Sequence, residues 1–351
     1  MMREHVYIVG LRYSHHACHS GYEAFGRYVG TPLPSVVAFR WTEGKWGWPL
    51  NQTFCRLTRH PWYSLGAHLA EWGTLGHMIR RKNCLYHVLY GDTDLWLLRR
   101  ANRFTGNRQV ASFHQPSSLL RKLGSIERVA RHLDAAILVC EGQRAYFQEI
   151  LPAGRIFVVH HGVDTGFFHP SERPVEEPMC VTVGSHLRDF DTHREAIRLV
   201  WKDNPHARFI AVGTRRDRKF HFPELDDERI RFLEGVSDEE LRQIHHRSKV
   251  AAFSFEEATA NNALLEAMAC GLPIVATDVG GIREYVDPGS GILCPQKDPR
   301  SLADGILRLL DDAATRERMA KASRAKALQL DFRLVADRML RVYSTILRHL
   351  P

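Results

Sequence analysis

The sequence predicts an α/β protein of two domains. Three observations carry this. The chain has 351 residues, and a domain commonly takes roughly 100–200. Short apolar strands recur, each running into a polar turn and then a helical pattern, as open α/β sheets do. The pattern stops at the charged, proline-rich segment SERPVEEP, Ser171 to Pro178, and then starts again, which marks a linker. The expected domains are 1–170 and 179–330 with the linker at 171–178, followed by a terminal helical segment, 331–351.

In the first domain His5 to Val9 is an apolar strand. The loop after it leads into a helix with Phe25, Tyr28 and Val29 on one face. That loop is not GxGxxG, so a dinucleotide fingerprint is absent. His15, His16, Cys18 and His19 lie too close together to form a tetrahedral metal site alone and have no evident second ligand pair; His160-His161 is a weaker metal-pair candidate, and no metal is expected. Residues 31–75 read as irregular and rich in Trp, Pro and Gly. Their aromatic side chains beside basic ones fit sugar rings, bases, a membrane interface or simple packing. Asn83 to Leu89 is a strand ending at Tyr90-Gly91-Asp92, and Gln109 to Phe113 one ending at His114-Gln115-Pro116. Such carboxyl ends are where parallel sheets place ligands. Ala136 to Val139 is the next strand. An amphipathic helix and another strand follow, ending at His161-Gly162-Val163-Asp164.

The second domain opens with Cys180 to Val183, a strand ending at Gly184. The loop SHLRDFDTH and the helical REAIRLVW come next. Phe209 to Val212 and Ile230 to Leu233 are strands; RRDRK between them reads as solvated. Ser237 with Glu240 three residues on forms a capping box. Asn261 and Asn262 are N-cap types before the apolar helix LLEAMA. Such a helix is buried, yet Glu266 sits in its middle. A buried carboxylate needs donors or a countercharge, so Glu266 is either a core residue paired with an arginine or aimed at ligand hydroxyls. Asp298 and Ser301 start a helix with Leu302, Ile306, Leu309 and Leu310 inward. The last helix runs from about Leu334 to Leu347.

Net charge is +8, and residues 1–170 carry 20 Lys/Arg against 11 Asp/Glu. The excess lies wholly in the first half, which suits an anionic surface or acceptor, or plain solvation. Hydrophobic residues make up 44% of the chain, enough for sizeable cores. No apolar run approaches the roughly 20 residues that span a bilayer. The opening HVYIVGLRYS enters a strand pattern at once, and no signal peptide is expected. Seven scattered cysteines without CxxC fit reduced thiols and a cytoplasmic location.

The stretch FSFEEATANNALLEAMACGLPIVATDVGGIREYV, Phe253 to Val286, resembles the retaining nucleotide-sugar glycosyltransferases of family 4, which have the GT-B fold. The HGVD turn at 161–164 and VSDEEL at 236–241 are similar to the same family. The resemblance implies two Rossmann-like domains with parallel sheets facing across a cleft, and a C-terminal helix, within 331–351, returning to the first domain. It implies a nucleotide-diphosphate sugar as donor substrate, no cofactor or metal, and a glycan, lipid-linked or small-molecule acceptor hydroxyl. Nucleic acid is not an expected partner. An anionic membrane surface is, through the basic first half, peripheral to the inner face of the membrane.

By the same resemblance Glu266 matches the family's second donor-site glutamate. The first falls by spacing on Ala258, with Glu256 and Glu257 just upstream: either the loop holds one extra residue and Glu257 takes that role, or the first acidic contact is absent. The family's Gly-Arg turn and following lysine become Gly184-Ser185 and Arg188, placing Arg188 on the donor diphosphate. Asn261, Asn262, Ala263 and Leu264 supply helix-start N–H groups to it. His114 matches a strand-end histidine beside the donor sugar, and Ser20, Gly21 and Tyr22 match the acceptor-side loop. Polysaccharide biosynthesis is one setting for such an enzyme. An epimerase or phosphorylase on the same fold, a catalytically weak sugar-nucleotide-binding subunit and a basic nucleic-acid binder are the alternatives.

Overall fold

The computed structural model describes residues 5–10, 18–19, 21–33, 47–172, 177–213 and 227–349. The chain forms two compact units. One comprises residues 1–16, 21–161 and 332–351, the other 17–20 and 162–331.

The first unit holds a six-stranded sheet of order β2-β1-β3-β4-β5-β6: β1 Val6–Val9, β2 Thr31–Pro32, β3 Leu85–Val88, β4 Arg108–Phe113, β5 Ala135–Leu138 and β6 Ile156–Val158. Every pairing is parallel. Parallel strands covered on both faces read as continuous apolar runs, and side chains alternate between the faces. Val6, Ile8, Leu85, Val110 and Ile137 thus enter one cluster with Phe25 and the C-terminal helix residues Val335, Met339 and Tyr343. Tyr7, Val9, Tyr86, Val88, Ala111 and Phe113 enter the cluster on the other face.

The second unit repeats the plan with order β12-β11-β10-β7-β8-β9: β7 Met179–Val183, β8 Arg208–Val212, β9 Ile230–Leu233, β10 Val250–Phe253, β11 Ile274–Thr277 and β12 Gly291–Cys294. All pairings are again parallel. Cys180, Phe209, Ala252 and Val275 pack with Ile197 and Ile306 of the helices Phe190–Asp203 and Pro299–Asp311. Val181, Ile210, Ala251 and Ile274 pack with the helix Asn262–Ala269 on the other face.

One expectation is corrected. Residues 31–75 are not irregular throughout: the helices Gly47–Thr58 and Leu65–Arg80 lie in or reach out of this stretch. Gly66, Gly73 and Gly76 lower helix propensity in the second, and tertiary bonds fix it instead. Ser64 caps it by accepting from the Ala67 N–H at 3.0 Å. Buried Glu71 accepts from the backbone of Trp96, Leu97 and Leu98 at 2.8–2.9 Å. The units divide at Gly162, inside the HGVD turn and ahead of the proline-rich segment. The basic run RRDRK lies outside the described residues. Among the described residues no helix is long and apolar enough to cross a membrane.

Candidate functional site

In an open parallel sheet the ligand crevice opens at the carboxyl ends of the two strands where the order reverses. In the second unit those strands are β7 and β10. Beyond β7 the chain turns at Gly184, φ +84°, a conformation that favours glycine. Arg188 then pairs in an antiparallel bridge with Phe255, just past β10. Its side chain is only 7% exposed. It lies over the Phe253 and Phe255 rings, 4.9 and 4.2 Å from their centroids. Nη2 donates to the Val183 carbonyl at 2.5 Å and to Asn261 Oδ1 at 3.4 Å, and Nε to the Gly184 carbonyl at 3.3 Å. Nη1, equally buried, has no hydrogen-bond partner among the described residues. Burial pushes the guanidinium down to about 9, so it stays a cation at neutral pH.

Asn261 is the N-cap of Asn262–Ala269, its Oδ1 accepting from the Leu264 N–H at 3.0 Å. The expected roles of the helix-start groups are therefore divided. Leu264 N–H serves the cap, while Asn262 and Ala263 stand in the first turn. Glu266 is buried on the same helix, 3% exposed. The upstream glutamates separate. Glu256 is exposed, its carboxylate 3.7 Å from Lys297 Nζ; Glu257 is half-buried. The next residue, Ala258, explains the Gly280-Gly281 pair. Its carbonyl accepts from the Gly281 N–H at 3.0 Å. A Cβ on Gly280, φ +51°, would stand 2.0 Å from that oxygen.

In the first unit the order reverses between β1 and β3. Past β1, Gly21 (φ +89°) N-caps the helix Tyr22–Val29. His114 follows β4 directly. Its N–H donates to Asp92 Oδ2 at 2.6 Å, and its Nε2 lies 2.8 Å from the Leu89 carbonyl. That contact requires the proton on Nε2, since a carbonyl only accepts. Tyr22 and Tyr90 flank the imidazole at 4.6 and 4.9 Å between ring centroids, and His161 stands 6.1 Å away. Burial pushes the Asp92 carboxyl up to about 7.

Tyr22 is 1% exposed and its hydroxyl turns into the sheet, 3.2 Å from Ser112 Oγ. A buried polar chain continues from there. Ser112 Oγ meets His87 Nε2 at 2.8 Å, and His87 Nδ1 meets the Tyr343 hydroxyl of the C-terminal helix Phe332–His349 at 2.5 Å.

The structure thus groups Gly184, Arg188, Asn261 and the start of the Asn262–Ala269 helix, and separately His114 with Gly21 and Tyr22. Ser20, His15 and His16 lie outside the described residues. His19 bonds Asp164 Oδ2 through Nδ1 at 2.8 Å and stacks on Phe167. Asp92, His161 and His87 went unselected in the sequence. Asp92 and His161 had a signal, their place at strand ends; His87, inside β3, is brought in by sheet order.

Residues 177–312 match the family described as "Glycosyl transferases group 1". This segment, under half of the chain, is similar to the domain of that family. The chain is 29% identical over 221 residues to the D-inositol 3-phosphate glycosyltransferase of Nocardioides sp., covering 54% of this chain and 48% of that one. A 34% identical match over 134 residues to the phosphatidyl-myo-inositol mannosyltransferase of Mycobacterium leprae covers 34% and 36%. The chain spans about half or less of the length of the curated relatives it matches.

Whole-chain likeness extends the fold beyond the matched segment. Sucrose-phosphate synthase of Thermosynechococcus elongatus superimposes with TM-score 0.72 at 17% identity, covering 98% of this chain and 99% of that one. HepE of Anabaena, solved with UDP-glucose, does so with TM-score 0.71 at 17% identity, covering 97% and 99%. The architecture, two Rossmann-like domains with parallel sheets, is the GT-B fold.

Proposed function

We propose that the protein is a retaining glycosyltransferase that moves a sugar from a nucleotide-diphosphate donor to an acceptor hydroxyl. The observation that carries this is Arg188, in the segment similar to the group 1 family. A nearly buried cation, its Nη1 unpartnered among the described residues, stands at the strand-order reversal, in hydrogen-bond contact with the N-cap of the Asn262–Ala269 helix. Negative charge grows on the diphosphate as the sugar departs. A guanidinium and helix-start N–H groups fixed there beforehand lower that barrier, and in this reading they do so without a metal. Arg188 and the N–H groups of Asn262 and Ala263 hold the diphosphate, Glu266 accepts from the ribose hydroxyls and Glu257 from a sugar hydroxyl. His114 makes the sugar-side contact, while Gly21 and Tyr22 serve the acceptor. The HepE complex and the inositol-directed relatives support this class of donor and acceptor.

The test is calorimetric titration with UDP, GDP and ADP on the wild type and on Glu266→Ala. One nucleotide should bind. The variant should bind it at least about tenfold more weakly, the loss expected for hydrogen bonds to a charged group. Failure of all three to bind, or equal affinity in the variant, refutes the donor site. Proton NMR of the product, showing the anomeric configuration of the donor, tests retention.

A further inference from the structure

His114 follows β4 in a turn whose backbone is held from two sides. On one side Gln143 Nε2 donates to the carbonyls of Phe113 and Gln115 at 2.9 and 3.0 Å, while its Oε1 accepts from the Val139 N–H at 2.9 Å. On the other side stands Asp92, past the end of β3. Its Oδ2 accepts from the His114 N–H at 2.6 Å, and the Gln115 N–H also favours its charged form. The chain leading to Asp92 is pressed against β4. Gly91 N–H donates to the Ser112 carbonyl at 2.8 Å. A Cβ on Gly91 would stand 2.9 Å from both Ala111 Cβ and the Phe113 ring.

Packing alone does not require a carboxylate at 92. The side chain is 2% exposed, and Oδ1 has no hydrogen-bond partner among the described residues. An asparagine of the same shape would accept from the same N–H groups without burying a charge. A carboxylate costs more to bury, but its hydrogen bonds are charge-assisted and stronger, and a proton weakens them. Burial pushes Asp92 up to about 7 against the pull of the His114 and Gln115 N–H groups, and the like charge of Asp94 in its own turn adds to the rise. Tyr146, on the helix Arg144–Gln148, also acts on Asp92; burial pushes its phenol up to about 12, so it stays neutral.

We propose that Asp92 is a positioning residue that holds the His114 turn through its ionised carboxylate. Ionised, it clamps the backbone of His114 and Gln115, and the imidazole keeps its bond to the Leu89 carbonyl. Protonated, it offers the same N–H groups a weaker acceptor. The hold therefore tightens as pH rises through about 7 and slackens as pH falls. Gln143 carries no charge, so its share of the hold is the same on both sides. The inference rests on the reading of His114 as the sugar-side contact.

The experiment is a pH titration of the full chain, labelled with ¹⁵N-histidine and followed by amide NMR from pH 5.5 to 8.5. The His114 amide is identified by its loss in His114→Gln. Its signal should move with a midpoint near 7 in the wild type. Asp92→Asn should abolish that movement, whereas Gln143→Met, which loosens the same turn without a titrating group, should keep it. Thermal melting shows that the variants are folded, and the wild-type titration stands without them. A His114 amide that does not titrate in the wild type, or that still titrates in Asp92→Asn, overturns the proposal. Calorimetry at pH 8 with UDP, GDP and ADP, and with the glucose conjugate of each, adds a readout that a purely structural role would not move. Asp92→Asn should bind the free nucleotide as the wild type does and its conjugate about fivefold more weakly, the difference between a charge-assisted and a neutral hydrogen bond. Equal loss for both ligands, or no loss for the conjugate, removes Asp92 from the positioning of His114. Failure of every nucleotide to bind the wild type refutes the donor reading instead, and the amide titration then decides the hold of Asp92 on the turn.

Discussion

In the proposed reading, the single buried charge of Arg188 serves binding at the expense of the fold. Its guanidinium is desolvated, lies against two phenyl rings and leaves Nη1 without a hydrogen-bond partner among the described residues. A buried charge of this kind contributes little to stability, and an apolar side chain of similar volume often replaces it without loss. Arg188→Met should therefore leave the melting temperature unchanged or raised, while nucleotide affinity falls at least about tenfold through loss of charge-assisted hydrogen bonds. Melting and titration of the same sample check both halves; a large drop in melting temperature with affinity intact would make Arg188 structural. The family resemblance pointed to Arg188 as a cation on the donor diphosphate. It did not reveal that the side chain folds back onto Val183 and Gly184, because that depends on the positive φ of Gly184 and on two phenylalanines more than 60 residues away. The same limit applies to Glu256 and Glu257: adjacent in sequence, they differ in burial, Glu256 exposed and Glu257 half-buried.

Among the elements, strands were the most legible, since burial on both faces writes itself as an apolar run. The helix Leu65–Arg80 was not, because Ser64 and Glu71 hold it in place of an amphipathic stripe. The C-terminal helix adds a polar lock that periodicity cannot show. Tyr343 holds His87 on β3, which holds Ser112 on β4, which meets Tyr22 at the start of the Tyr22–Val29 helix. Burial lowers the His87 imidazole to about 3, so it is neutral and needs both nitrogens satisfied. Tyr343→Phe removes one partner and strands a buried ring nitrogen. It should cost about 1–3 kcal/mol in urea unfolding followed by circular dichroism. No change would mean that apolar contacts alone hold the helix.

For the whole molecule, buried histidines set the response to acid. Burial lowers His60 and His193 to about 4, and His87 and His245 to about 3. In the unfolded chain each takes up a proton near 6.5. Between about pH 6.5 and 4 the unfolded state therefore binds more protons, and stability declines as pH falls. Glu71 and Asp92 act in the opposite sense. Burial raises both to about 7, so their contribution is complete below about pH 4 and is lost as pH rises toward 7. Four groups against two leave a net loss on acidification, each uncompensated histidine giving a slope of up to about 1.4 kcal/mol per pH unit. Urea midpoints measured from pH 7.5 down to 4.5 should decline. His245→Gln should flatten that decline by one group's share, since both ring nitrogens of His245 are buried without a hydrogen-bond partner among the described residues. A midpoint that rises on acidification would place control with the two carboxyl groups instead.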